Sequence, residues 1–488
     1  MKVIRSVITG LTALLLVLFL AACEVGPKYT KATVPLTPSF KEAPPELPKE
    51  AGQWKPAQPD DQALRGKWWV VFGDPQLDAL EEQLTISNQD LKVADARLRE
   101  ARAAVRFNRA AEYPTISTGP SISGLDASAN RPYQQITGNT GDFVLPFDLS
   151  YEIDLWGRVR RTVAAAREET QATAADYATA NLSLHAELAI DYFELRSADA
   201  QKQLLDDTVT AYTDALHLTT NRFLGGVSPK SDVAQAQTQV DTTRVQDTDV
   251  TVARAQYEHA IAILIGKPPA ALNLALAPLN LQPPRIPVGL PSELLERRPD
   301  IAAAERRAAE ANQEIGIAHA AYFPTVTLDG SAGMEGTSPL NWMVWPSRFW
   351  AVGPQMLGTL FDGGRRRAGS DAAIAGYDGA IATYRQTTLT AFQEVENNLA
   401  ALRILDIEAQ QQQQAIASAQ ESLELSTNRY TGGVDTYLQV ITAQTIALQN
   451  ERNNVDILRR RMDASALLIK ALGGGWSVAE LPKEASLH

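Results

Sequence analysis

A single cysteine, Cys23, serves the whole chain of 488 residues, so no disulfide can close within it. Apolar runs are scarce as well: beyond the first 23 residues none reaches the ~20 that a membrane-spanning helix needs. A basic excess is missing. The net charge of −12 argues against nucleic acid as a partner, because binding phosphates needs a basic face. The five histidines, His185, His217, His259, His319 and His488, are scattered, with no pair at zinc-binding spacing. No Gly-x-Ser-x-Gly elbow occurs. Gly226-Val-Ser-Pro-Lys-Ser231 departs from a phosphate loop, since Pro229 stands where glycine must precede the lysine and no strand leads into it. Carboxylates are common, as solubility of long solvated helices requires. These absences remove the usual catalytic constellations, and neither an enzyme nor a cofactor is expected.

What is present begins with an export signal. Lys2 and Arg5 precede an apolar stretch, Val7–Leu20, which ends in Leu20-Ala21-Ala22-Cys23. Those four residues resemble a bacterial lipobox, in which the cysteine receives lipid and becomes the new N-terminus. By the same resemblance Glu24, rather than aspartate, favours the outer membrane. Several acyl chains would anchor the chain stably at about 0.8 kcal/mol per buried CH₂. Ordinary cleavage beside an incidental cysteine is the alternative. Pro27, Pro35, Pro38, Pro44, Pro45, Pro48, Pro56 and Pro59 then favour an extended segment, and Trp68, Trp69 and Phe72 open packed structure.

The body of the chain is written twice. Thr219–Val240 reads TTNRFLGGVSPKSDVAQAQTQV and Ser426–Ala447 reads STNRYTGGVDTYLQVITAQTIA, an offset of 207; Tyr113-Pro-Thr-Ile matches Phe323-Pro-Thr-Val at 210. Duplication over this length sets the architecture. The organisation expected is a signal peptide at 1–22 and a lipidated extended segment at 23–75. Repeat 1 follows at 76–280 with a hairpin at 114–155, repeat 2 at 281–473 with a hairpin at 324–361, and a tail at 474–488. Each repeat reads as helix, β-hairpin, very long helix, tight turn, helix.

The helices announce themselves by period. Leu77, Leu80, Leu84, Leu91, Ala94, Leu98, Ala101 and Val105 follow a 3–4 spacing broken only at Ser87, and Leu290, Leu294, Ile301, Ala304, Ala308, Ala311, Ile315 and Ala318 repeat it. That is a coiled-coil seam. From Arg158 to about Phe223 no proline interrupts a run that would span roughly 100 Å at 1.5 Å per residue. Gly225-Gly226 and Gly432-Gly433 turn the chain back, and 232–265 and 435–472 return as helices.

The strands are read from alternation. Phe143, Leu145, Phe147, Leu149, Tyr151 and Ile153 alternate with Val144, Pro146, Asp148, Ser150, Glu152 and Asp154. A tilted membrane strand needs about 9–11 residues, and apolar-out, polar-in alternation marks a barrel; taken alone, a half-buried strand of a soluble sheet fits equally. In the second copy the apolar positions become Trp350, Val352, Pro354, Met356, Gly358 and Leu360, still without charge, which favours the barrel. Thr115–Gly124 and Thr325–Gly333 supply the preceding strands. Trp342, Trp345 and Trp350 suit either an interfacial belt or loop packing. Four strands cannot close a barrel, for which about eight is the smallest number, and an open edge in lipid leaves unpaired groups costing several kcal/mol each. Strands in a membrane therefore require several chains, and a lumen prefers three or more.

Together these features resemble the TolC-like outer membrane factors, in the lipoprotein branch (OprM- and NodT-like) that serves tripartite efflux pumps. The residues that carry the likeness are Leu20–Cys23, Val25-Gly-Pro-Lys-Tyr29 with Pro35, Asp154-Leu-Trp-Gly-Arg158, Leu360-Phe-Asp-Gly-Gly-Arg365 and both Asn-Arg-aromatic-x-Gly-Gly-Val turns. The resemblance implies an α+β, mostly α fold with four strands per chain. Three chains would share a twelve-stranded outer membrane β-barrel continued by a coiled-coil α-barrel through the periplasm. It implies a passive conduit for small molecules, working with a periplasmic membrane-fusion adaptor and an inner-membrane pump of the RND type, and held by outer membrane lipid at Cys23. Gly225, Gly226, Val227, Ser228, Gly432, Gly433 and Val434 would be adaptor-contacting tips, although glycine also satisfies the turn geometry by itself. Asp435 matches a ring aspartate that would favour cations; a helix N-terminal aspartate stabilised by the dipole is the plainer alternative. Tyr430, Arg429 and Asp232 match positions that link neighbouring helices and hold the periplasmic gate closed, with Ser228-Pro229-Lys230 departing from the commoner tip. Two other functions remain open: a type I protein secretion conduit, and a lipid-anchored coiled-coil scaffold without a channel.

Overall fold

Two helices of 67 residues set the frame of the structure, a computed structural model that describes residues 24–35, 37–42, 66–126, 140–286, 293–483 and 486. The export signal, Cys23, Leu290 and His488 lie outside the described residues. In chain order the main helices are α1 (Pro75–Ser87), α2 (Gln89–Arg109), α3 (Arg158–Leu224), α4 (Lys230–Leu264), α5 (Pro299–Ala320), α6 (Arg365–Thr431) and α7 (Tyr437–Ala471). The duplication is kept to the residue in the long hairpins, since α3 and α6, and likewise α4 and α7, start and stop at matching positions of the two copies. Gly157 and Gly364, at φ 82° and 92°, bend the chain into the long helices through the left-handed region that glycine enters at little cost.

The apolar row from Leu77 to Val105 predicts one helix, and the structure has two. Asn88 separates them: its Oδ1 accepts from the Leu91 amide at 2.8 Å, capping α2, while its Nδ2 donates to the Leu264 carbonyl at 2.8 Å. The break is dictated by the end of α4, which needs its last carbonyls satisfied. In repeat 2 the break falls at Arg298, ahead of Pro299 at the first position of α5.

Five strands form one antiparallel sheet: β1 (Thr115–Ser117), β2 (Ser121–Leu125), β3 (Thr140–Glu152), β4 (Thr325–Gly336) and β5 (Arg348–Leu357). β1 and β2 lie in line along one edge of β3, β4 lies on its other side, and β5 is the far edge. Two expectations are corrected. The strand read as Thr115–Gly124 is interrupted at Thr118-Gly119-Pro120, where proline has no amide to donate. The second hairpin stops at Leu357, so Gly358 and Leu360 fall beyond it.

Apolar clusters hold the helices, three of them built on large side chains. The largest joins Trp68, Trp69, Phe72, Leu77 and Leu84 to Leu188, Phe193, Ile261 and Met462. A second packs Phe40, Leu294 and Ile301 against Tyr384, Val395 and Leu468. The third, at the glycine tips, is Ala236, Tyr430, Tyr437 and Val440. Residues 24–35 and 37–42 run as a strap over this frame: Val25 donates to the Trp156 carbonyl at 3.2 Å, Tyr29 Oη donates to Glu305 Oε1 at 2.8 Å, and Glu42 meets Arg403 at 2.6 Å; Pro44, Pro45, Pro48, Pro56 and Pro59 lie outside the described residues. Among the described residues no helix is long and apolar enough to cross a membrane.

Candidate functional site

Cross-strand register sorts the sheet into two faces. Leu145 stands opposite Met334, Phe147 opposite Ala332 and Leu149 opposite Gly330, and across the next ladder Ala332 faces Trp350 and Gly330 faces Val352. Ile116 opposite Leu149 and Ile122 opposite Phe143 extend the same face. Trp350 at 76% and Ile116 at 71% exposure show that nothing among the described residues covers it. Along β3 and β4 the other face alternates with it and is largely polar, with Val144 and Pro146 as exceptions: Ser331 Oγ donates to Asp148 Oδ1 at 2.6 Å and Ser150 Oγ donates to Asp329 Oδ1 at 2.9 Å. An exposed apolar surface backed by carboxylates suits lipid on one side and water on the other. The tryptophans divide between the two readings offered for them. Trp342 packs on Phe143 with ring centres 5.7 Å apart, whereas Trp345 and Trp350 are exposed and Arg348 lies 4.1 Å over the Trp345 ring.

At the opposite end of the long helices the two tips have one geometry. Gly226 and Gly433 adopt φ 73° and 72°. The Val227 amide donates to the Arg222 carbonyl at 2.8 Å and the Val434 amide to the Arg429 carbonyl at 2.9 Å, the closing bonds of a glycine-terminated helix. Val227 and Val434 project into solvent. Gly225 and Gly432 cap α3 and α6, and Ser228 is half-buried behind the first turn.

Not every expected gate residue is brought together with another helix. Arg429 Nε donates to Asp435 Oδ2 at 3.1 Å within its own turn, so that pair does not link neighbouring helices in this chain. Asp232 is half-buried in the first turn of α4. Tyr430 is buried against Tyr437, ring centres 5.1 Å apart. Burial pushes the Tyr437 hydroxyl up to about 12, with Tyr430, Tyr212 and Asp232 adding to the rise. The residue that ties one tip to the other is Arg222, which the sequence reading passed over. Its Nη1 donates to the Thr431 carbonyl at 2.9 Å and its guanidinium lies 4.9 Å over the Tyr430 ring. The signal was available, because the repeated Asn-Arg-aromatic places an arginine in both copies. Among the described residues no group of three His, Cys, Asp or Glu side chains could hold a metal ion.

A profile described as outer membrane efflux protein matches residues 80–267 and 290–474. The chain is 32% identical over 459 residues to the probable efflux pump outer membrane protein SepC of Pseudomonas putida, covering 94% of this chain and 95% of that one. It is 31% identical over 425 residues to the pyoverdine export outer membrane protein OpmQ of Pseudomonas aeruginosa, with 84% and 87% covered. Among solved structures, the outer-membrane channel OprN superposes with a TM-score of 0.84 at 28% identity, over 93% of this chain and all of that one.

Proposed function

This chain belongs to the outer membrane efflux protein family, and from that premise we propose how its two ends divide the work. The protein is an outer membrane channel component of an efflux system and not an enzyme. In our reading three copies share a twelve-stranded barrel, the helices continue it into the periplasm, and the glycine tips receive a membrane-fusion adaptor tied to an inner-membrane pump of the RND type. Energy comes from the pump; this chain is a passive, gated conduit for small molecules. The observation that carries the reading is the sheet, which among the described residues is apolar and uncovered on one face, largely polar in β3 and β4 on the other, and open at both edges.

Lipid attachment at Cys23 is part of the same proposal. Glu24, the next residue, reaches Arg161 at 3.3 Å, and a side chain at Gly157 would strike it, so the strap begins where β3 gives way to α3. That is the level at which acyl chains on Cys23 would meet the bilayer surface. Cys23→Ser should abolish incorporation of labelled fatty acid, and persistent labelling would refute it.

For the gate, Asp435 and its counterparts in the other copies would ring the periplasmic end, each paired with Arg429 of its own turn. Full-length Asp435→Ala in planar bilayers should conduct more than the parent chain and discriminate less for cations. An unchanged current and selectivity would remove Asp435 from the constriction.

A further inference from the structure

Twice the chain passes from sheet to long helix, and the two passages differ in charge. In repeat 1 the exposed arginines at the start of α3 are neutralised by carboxylates just ahead of it: Arg158 Nε donates to Glu152 Oε1 at 2.8 Å, and Arg160 lies 3.2 Å from Asp154. Buried beside them, Arg161 meets Glu24 at 3.3 Å, where the strap begins. At the offset of 207, repeat 2 keeps both exposed cations and loses both carboxylates. Arg365 and Arg367 stand for Arg158 and Arg160, whereas Thr359 and Phe361 stand for Glu152 and Asp154. Ala368 takes the place of Arg161. A side chain at Gly364 would meet none of the described residues, although one at its twin Gly157 would strike Glu24.

One of the two arginines left over lies on the strap side of α6. Arg367, Arg385 and Arg403 recur at intervals of 18 residues, about five turns, and so share one face of the helix. Arg385 Nε donates to the Thr33 carbonyl at 3.3 Å and Arg403 meets Glu42 at 2.6 Å, so the strap runs along that face. Arg367 is exposed, and among the described residues nothing pairs with it. Just ahead of it in the chain, Leu360 is 99% and Phe361 89% exposed. Arg365 lies about 200° round the helix from Arg367. The Gly364 and Arg366 amides are already engaged, both donating to Asp362, so what is left at this helix start is a side-chain cation near apolar surface.

We propose that Arg367, with Leu360 and Phe361, holds a phospholipid of the leaflet that faces the periplasm. The guanidinium takes the phosphate as Arg161 takes the Glu24 carboxylate, and the two apolar side chains lie against the acyl chains. The inference rests on the shared-barrel reading, which puts the sheet in lipid and the start of α6 at the bilayer surface. An arginine fork suits phosphate, to which it donates through paired N–H groups. Aromatic side chains are at home at the same depth. Repeat 1 needs no free lipid there, because the strap and the anchor proposed on Cys23 fill the place; repeat 2 has no strap at this level and recruits one. A carboxylate from a neighbouring copy would answer the charge but leave Leu360 and Phe361 uncovered, so a lipid fits the surface better.

Lipid titration tests the site. The full-length oligomer, delipidated in detergent, should bind phosphatidylglycerol bearing palmitoyl and oleoyl chains, counted by native mass spectrometry. Arg367→Gln should weaken that binding about tenfold or more. Arg367→Lys should recover most of it, which separates lost charge from misfolding. Arg365→Gln should leave it within about twofold, since residues two apart do not share a helix face. Diacylglycerol with the same chains and inorganic phosphate should both fail to compete. Equal loss from Arg365→Gln would overturn the assignment to Arg367, and binding untouched by Arg367→Gln would overturn the site. Competition by inorganic phosphate at the lipid's own concentration would make the ligand a free anion and not a lipid. An oligomer loosened by Arg367→Gln with its lipid binding intact would give the arginine to a neighbour's carboxylate instead. An intact oligomer that binds no phosphatidylglycerol sinks this inference alone, whereas a chain that sizes as a monomer and binds no lipid takes the shared barrel with it.

Discussion

Glu81 and His185 are both buried, with His185 Nδ1 2.5 Å from Glu81 Oε2, and the Trp69 ring stacks on the imidazole at 4.4 Å. Burial, and then the nearby Asp78 carboxylate, push the Glu81 carboxyl up to about 10, while burial lowers His185 to about 4. The folded pair therefore keeps one proton from about pH 4 to pH 10. In the unfolded chain a glutamate near 4.3 and a histidine near 6.5 hold two protons in acid, one between those values and none above about 6.5. Stability is then flat between roughly 4.5 and 6.5, and it falls as the pH rises from 6.5 towards 10, where the folded state binds the extra proton. The slope is at most about 1.4 kcal/mol per pH unit. Glu81→Gln keeps a donor to Nδ1 without the titration, so its melting temperature in detergent should drop less between pH 7 and pH 9 than that of the parent. Equal drops would sink the assignment. No sequence pattern announced this pair, because its members stand 104 residues apart and each reads as an isolated polar helix position. Arg222 escaped for the opposite reason: it was visible in both copies, but only the fold shows that the first copy's arginine spans the tips while the second's bonds within its own turn.

Between elements, the junction at Asn88 carries more than its length suggests. Its two side-chain hydrogen bonds are buried, one capping α2 and the other satisfying the C-terminus of α4, and Ser87 Oγ donates to the Ile265 carbonyl beside them at 2.5 Å. A cap is worth roughly 1 kcal/mol and an orphaned buried carbonyl about 1–3 kcal/mol. Asn88→Ala should therefore destabilise the chain by about 2–4 kcal/mol, read as a lower denaturation midpoint, with Asn88→Asp recovering the cap but not the bond to Leu264. Equal midpoints for Asn88→Ala and the parent would show that the junction is not stressed. Helix periods and the 207-residue offset were legible because they are local and written twice. The break at Asn88 was not, since the heptad passes through it and its cause is a helix end 176 residues away. β5 was read too long for a related reason: alternation continues to Leu360, but a strand exists only where a neighbour pairs with it, and among the described residues β4 begins opposite Leu357 and offers β5 nothing beyond it. The route of the strap over Trp156, Glu305 and Arg403 depends on contacts that no local pattern encodes.

For the molecule as a whole, the decisive question is which medium each sheet face meets. Phe147 and Ser331 lie one position apart along the β3–β4 ladder, Phe147 opposite Ala332 and Ser331 opposite Asp148, and so belong to opposite faces. If the apolar face meets lipid and the polar face lines a lumen, one substitution placed at these two positions must act in unlike ways. A lysine at a lipid-facing position near the midplane costs about 2–4 kcal/mol, and each of the three copies in a shared barrel would bear it. Phe147→Lys should therefore reduce the chain recovered as a folded, heat-modifiable oligomer in the outer membrane fraction. Ser331→Lys puts the ammonium in water beside Asp148, where desolvation is small and the local charge is already negative. That variant should assemble at the parent's level, while the reversal potential in a salt gradient moves away from cation preference, most clearly at low ionic strength where screening is weak. The contrast between the two positions carries the test, because loss of assembly from Ser331→Lys with Phe147→Lys unharmed would invert the sheet. Damage of equal size at both would mean that the strands sit inside a packed protein core with no lipid on either side, and the channel would have to be sought elsewhere.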